Sequence, residues 1–206
     1  MDITSTARTD TMLKNLRPVW PLLKRVGLLL LIVPVAAWAL VKPVRVVAPP
    51  MAGVTCLESG LCIDDESRLP EATALYQEAQ QYLATHLDPL QHPGRVVFCA
   101  QSACADAFGL GERSAVTVGE VGSVIGPRAW RPYYVRHELI HQLQSEHLGL
   151  LSTLLKPQWW TEGMAYELSG DPRDLLAEPW QSDRRQFREW FRSVGPGQLW
   201  TAAAGL

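Results

Sequence analysis

The sequence predicts an α+β fold in which one amphipathic helix and a few short strands come first and helices alone follow. Three observations carry this. Residues 71–87 place Ala72, Leu75, Ala79, Tyr82, Leu83 and His86 on one helical face. Residues 95–100, 114–118 and 121–125 are short runs rich in β-branched side chains, the last two separated by Gly119-Glu120. From Tyr133 onward the apolar spacing is helical.

The elements follow in order. Residues 26–41 form an uncharged run of sixteen residues. As a helix it rises ~24 Å, against ~30 Å for a hydrocarbon core. Trp20, Leu22, Leu23 and Val44 can lengthen it, with Lys24 and Arg25 snorkelling. Residues 1–45 hold seven Lys/Arg and two Asp, leaving twelve basic and nineteen acidic residues beyond. A basic region confined to the flanks of an apolar run indicates membrane topology and argues against a nucleic-acid partner. The expected layout is a cytoplasmic basic N-terminus (1–25), a membrane anchor (26–41), a Pro/Gly linker (42–55) and an extracytoplasmic domain (56–206). A cleaved signal peptide is the rival, since Ala37-Trp38-Ala39 has the small-x-small form of a cleavage site.

The four cysteines all follow the apolar run, as Cys56-x5-Cys62 and Cys99-x4-Cys104. Two local disulfides in an oxidising compartment are expected, although four cysteines allow three pairings. The spacings do not suit a C-x2-C zinc site. Residues 56–206 suffice for one domain with a core of its own. Within it, the helix at 71–87 precedes a buried strand (95–100), a short helix (103–108), the two further strands, a helix at 133–148, a second around Glu162 and a last at 182–194. Pro179 and Gly195 bound the last helix, whose Arg184, Arg185, Arg188 and Arg192 read as a solvated face over Phe187, Trp190 and Phe191.

The helix at 133–148 carries His137-Glu138-Leu139-Ile140-His141. Residues four apart share a helical face, so His137 and His141 can offer two imidazole nitrogens to one Zn²⁺. Glu138, beside that face, is placed to take a proton from a water. A catalytic zinc generally has a third protein ligand. His147 has the spacing of H-E-x-x-H-x-x-G-x-x-H, but Gln144 stands where that pattern needs glycine. An unbroken helix rotates His147 by about 240° from His141, off the metal face. The other candidate is Glu162, in Trp160-Thr161-Glu162-Gly163-Met164-Ala165, on a helix whose Trp160, Met164 and Leu168 face a core. Gly163 would let that helix approach the first.

HELIH followed by W-T-E-G-M-A resembles the gluzincin metallopeptidases, the group of thermolysin and the membrane alanyl aminopeptidases. The resemblance spans about 133–171. It implies a zincin-like domain with a small sheet and active-site helices, zinc held by His137, His141 and Glu162, Glu138 as general base, and a peptide or protein substrate. The G-x-M-x-N motif of the alanyl aminopeptidases is absent. The oxyanion needs a further donor, with Tyr133, Tyr134, Arg136, His147 and Tyr166 as candidates. An outer carboxylate orienting a ligand histidine is expected, with Glu167 and Asp171 as candidates. An edge strand pairing with substrate is implied, and 121–126 is the candidate. The expected protein is a membrane-anchored, extracytoplasmic zinc metallopeptidase. The alternatives are a non-proteolytic zinc hydrolase and an inactive envelope interaction protein that keeps the fold.

Overall fold

The computed structural model describes residues 19–206. Residues 1–18 of the expected cytoplasmic N-terminus lie outside the described residues. The chain divides into two units, Met1–Val41 and Lys42–Leu206.

In the first unit, α1 (Val19–Leu40) includes the apolar run and has Pro34 inside it. Lys24 and Arg25 lie in its second turn, so the uncharged part, 26–40, rises only ~22 Å. Among the described residues no helix is long and apolar enough to cross a membrane. The expected span is therefore helical but short.

The second unit is α+β. Its strands are β1 (Thr55–Cys56), β2 (Leu61–Ile63), β3 (Arg95–Phe98), β4 (Ala115–Val118) and β5 (Gly122–Ile125), in the order β1-β2-β3-β5-β4. The two outer pairs are antiparallel and the inner pairs parallel, so the sheet is mixed. Between and after the strands come α2 (Leu69–His86), α3 (Ser102–Ala107), α4 (Pro132–Leu148), α5 (Leu150–Leu155), α6 (Gln158–Leu168), α7 (Trp180–Val194) and α8 (Leu199–Ala204).

The two-residue period of the strands divides their side chains between two cores. Leu61, Ile63, Val96, Phe98 and Ile125 pack with apolar residues of α2, α4, α6, α7 and α8. Cys62, Val97 and Val124 point the other way, toward Val46, Val54, Phe108 and Leu110. The inner strands are thus covered on both faces, as their uninterrupted apolar character requires. Residues 42–55 were expected to be a linker, and their prolines instead start 3-10 turns at Lys42–Val47 and Pro49–Ala52. Val46 and Val54 are buried under the sheet, and the Arg45 guanidinium donates to the Ala107 carbonyl at 2.6 Å.

The expected helices and strands form within a few residues of their predicted bounds. β1, β2, α5 and α8 were not foreseen. The first two are two and three residues long, too short for a period to register. Both local disulfides form, Cys56–Cys62 and Cys99–Cys104. The basic face of α7 is not simply solvated, because Arg184 and Arg188 both grip Glu167 of α6.

Candidate metal centre

α4 begins at Pro132, where the missing N–H is harmless, and ends at Gly149 with φ of 80°. Val135, Leu139, Ile140 and Leu143 are completely buried against the sheet and neighbouring helices. Each such side chain contributes about 1.5–3 kcal/mol and together they fix the rotation of the helix. That rotation turns His137 and His141 toward α6, where Glu162 stands one residue before Gly163. A Cβ on Gly163 would meet the Asp183 carbonyl at 2.4 Å and Phe187 at 2.8 Å. The glycine therefore admits α7 against α6. It does not serve approach to α4, as the sequence had suggested.

His137, His141 and Glu162 each offer a ligand atom, all within 4.8 Å of one another, and form a group that can hold a metal ion. The two Nε2 atoms are 3.2 Å apart. Glu162 Oε2 is 3.5 Å from His137 Nε2 and Oε1 is 3.5 Å from His141 Nε2. His137 is buried, and His141 and Glu162 are half-buried. The hydrogen bonds around His141 fix its tautomer. The Gln144 amide nitrogen donates to the Thr161 carbonyl at 2.9 Å, which leaves Gln144 Oε1 to accept from His141 Nδ1–H at 2.9 Å. His141 Nε2 is then a lone pair aimed at another imidazole nitrogen and a carboxylate. Acceptors converging in this way repel unless a proton or a metal cation lies between them, and two imidazoles with one carboxylate form a group that fits a divalent metal.

Burial disfavours ionised Glu162, but a hydrogen bond from His137 and the charges of His141 and His137 outweigh it and hold the carboxyl at about 2. Glu138 differs. Burial pushes it up to about 7, although His141 and a hydrogen bond from Thr117 pull the other way. A divalent cation among the three ligands would draw it back down.

The cluster opens into a cleft of about 820 Å³. Ala115, Val116 and Thr117 of β4 form part of one wall, and Leu150, Leu154, Leu176 and Trp180 lie among the other lining residues. The strand on the cleft is therefore β4. The expected strand, 121–126, contains β5, which is paired on both sides and wholly buried. Gly126 N–H bonds the Ser114 carbonyl at 2.9 Å. By antiparallel alternation, Val116 and Val118 bond inward, and Ala115 and Thr117 turn their N–H and C=O groups to the open edge.

Of the oxyanion candidates, Tyr134 and Tyr166 line the cleft. Tyr166 packs edge-on to His137, with ring centroids 4.5 Å apart. Burial, reinforced by Glu162, pushes its hydroxyl up to about 12, so it remains a donor. Arg136 is turned away onto Glu78 and the Tyr82 ring. His147 is also elsewhere, stacked on Trp200 at 3.9 Å and 3.6 Å from Asp88. Tyr133 does not line the cleft and lies under the Arg173 guanidinium. Neither expected outer carboxylate reaches a ligand histidine, since Glu167 is held by Arg184 and Arg188, and Asp171 by Arg173. The amide of Gln144 does that work. In the sequence Gln144 signals only that a glycine is missing, because the contact that orients its amide comes from Thr161 on another helix. Sequence reasoning missed Arg173 too, which lines the cleft and lies 3.5 Å from the Tyr134 hydroxyl.

Comparison of the chain with protein-family models, curated proteins and solved structures finds no match.

Proposed function

We propose that the chain is a zinc-dependent peptidase of gluzincin type that works outside the cytoplasm at a membrane. The observation that carries this reading is the pairing of the His137–His141–Glu162 group with a buried carboxylate, Glu138, in a cleft walled by an open strand edge. Two imidazoles and one carboxylate are a ligand set that suits zinc, so His137, His141 and Glu162 would hold it. Zinc held by these three residues would supply Lewis acidity, activating a water and polarising a carbonyl.

The chain's own residues supply the rest. A peptide lying along β4 pairs with the free backbone groups of Ala115 and Thr117, which draws it out as a strand beside α4. Glu138 takes a proton as water attacks the scissile carbonyl, and later delivers it to the departing amine. The Tyr166 and Tyr134 hydroxyls are donors for the oxygen that gains charge. Arg173, whose Nη1 lies 3.5 Å from the Tyr134 hydroxyl oxygen, holds that side chain at the cleft wall.

Two features support the location. Both disulfides require an oxidising compartment to persist. α1 leaves Leu28, Leu29, Leu30, Ile32 and Val33 exposed, and basic residues precede it. As an anchor, α1 relies on flanking residues to make up its length. As an export signal, it would be removed.

Glu138→Gln is the direct test. The variant should retain about one zinc per chain and lose hydrolysis of an unstructured protein such as casein by about 100-fold or more. Undiminished hydrolysis would remove Glu138 as the base. Hydrolysis of small esters but no peptides by the wild-type protein would favour a non-proteolytic hydrolase. Zinc binding without any hydrolysis would favour an inactive interaction protein.

A further inference from the structure

A buried hydrogen-bond chain joins the sheet to Glu138, and its direction can be assigned link by link. Gly94 N–H can only donate, and it donates to Gln142 Oε1 at 2.9 Å. That fixes the Gln142 amide, whose Nε2 must donate to Ser123 Oγ at 2.8 Å. The Glu138 main-chain carbonyl can only accept, and with the carboxylate it claims the single Thr117 proton, so the Ser123 hydroxyl gives its own proton to Thr117 Oγ1 at 2.7 Å. The Thr117 hydroxyl is then committed outward, to Glu138 Oε2 at 2.6 Å, with the Glu138 main-chain carbonyl as a second acceptor at 3.1 Å.

Ser123 is completely buried and Gln142 is 1% exposed, between a strand and a helix that otherwise meet through apolar side chains. Apolar residues would pack there without the ~1–3 kcal/mol penalty that threatens any buried polar group lacking a partner. The arrangement is also built from several parts of the chain. Thr117 and Ser123 are directly opposed in the β4–β5 register. Gln142 is one turn beyond Glu138 on α4. Gly94 lies so close to the β4–β5 turn that a Cβ would meet the Glu120 carbonyl at 2.3 Å.

We infer that Thr117 is a positioning residue for Glu138: the Gly94–Gln142–Ser123–Thr117 chain pins Oε2 and leaves Oε1 as the oxygen that receives the proton. The inference rests on the peptidase reading for its consequence, but the pinning itself can be tested without activity. The same strand residue that opens its backbone to the peptide thereby holds the base, so substrate and base share one support.

The experiment uses the full-length chain with Thr117→Val, which removes the hydroxyl and keeps the shape, Thr117→Ser, which restores it, and Ser123→Ala, which breaks the next link. Zinc content should be unchanged in all three. Thr117→Val should lower kcat about 10–100-fold on a quenched peptide that the wild type cleaves, as a misplaced catalytic group does. KM should stay within about twofold. Thr117→Ser should recover most of the loss, and Ser123→Ala should fall between. Crystal structures of the zinc-loaded variants should show the Glu138 carboxylate turned from this position in Thr117→Val and retained in Thr117→Ser. An unmoved carboxylate in Thr117→Val, or in Ser123→Ala should Thr117→Val not fold, overturns the inference, as does wild-type kcat in Thr117→Val. A carboxylate released by Val and held by Ser in a protein that cleaves no peptide upholds the positioning and removes the peptidase reading.

Discussion

His141 shows how one side chain is specified twice. Its place in the pentapeptide puts it one turn from His137, and Gln144, one turn further on, holds Nδ1 so that Nε2 carries the lone pair. Gln144 also keeps α4 unbroken, which carries His147 around to Trp200 and Asp88. The third member of the group that can hold a metal ion then comes from α6. Glu162→Ala should weaken zinc binding by more than about 100-fold, beyond the loss expected for an outer partner. His147→Ala should leave it nearly unchanged. Competition titration against a chromophoric chelator measures both, and the reverse order would move the third ligand to His147.

Among the elements, α6 and α7 depend most on each other. Gly163 allows them to close, and Glu167 of α6 takes Arg184 and Arg188 of α7 in one cluster. Burial works against ionised Glu167, but the hydrogen bonds from Arg188 and Arg184 prevail and hold its carboxyl below the usual range. A carboxyl lowered in the folded state binds its proton later than in the unfolded chain, whose value is ~4.3. Its stabilisation is therefore complete above that value and fades as pH falls through the lower folded one. Glu167→Gln should cost about 1–3 kcal/mol at pH 7, leaving two half-buried guanidinium groups short of a partner. The deficit should shrink steadily below about pH 4. Urea unfolding at a series of pH values measures it, and a deficit independent of pH would mean that the pair contributes packing alone. Glu162 sits on the face of α6 that looks to α4, so this clamp is part of what holds Glu162 beside the two histidines.

At the scale of the molecule, the domain is a mixed sheet covered on both faces, with the His137–His141–Glu162 group where α4 and α6 meet over the β4 edge. The thinner cover is on the side of Val46, Phe108 and Leu110, and both disulfides lie there or beside it. Each closes a loop of about seven residues, for which chain entropy gives about 2 kcal/mol of stabilisation. Reductant should therefore lower the unfolding free energy by about 4 kcal/mol in all. Replacing Cys56 and Cys62 together by serine should account for about half. Chemical denaturation with and without reductant checks this, and insensitivity to reductant would show that packing alone holds this face.

Much of this was legible in the chain. The helical period of 71–87, the Pro132 and Gly149 boundaries of α4 and the His137–Glu138–His141 spacing are local signals, carried by residues within a few turns of each other. Glu162 could be nominated because it stands in a segment with an apolar stripe. The Cys56–Cys62 and Cys99–Cys104 pairings could be nominated because their loops are short. What remained hidden depends on contacts between elements remote in sequence. That β4 is the edge and β5 the interior follows from β3 pairing parallel with β5, in a register that joins residues as remote as Arg95 and Gly122. The roles of Gln144, Gly163, Arg173 and the Ser123–Gln142 pair depend on which neighbour each polar or small side chain meets, and no period records that. Periodicity and spacing alone thus determined the longer helices, the shared face of His137 and His141 and the set of candidate ligands. Only the tertiary structure decided which candidates converge, because hydrogen bonding and close packing are satisfied between elements, after the apolar faces have set their relative rotation.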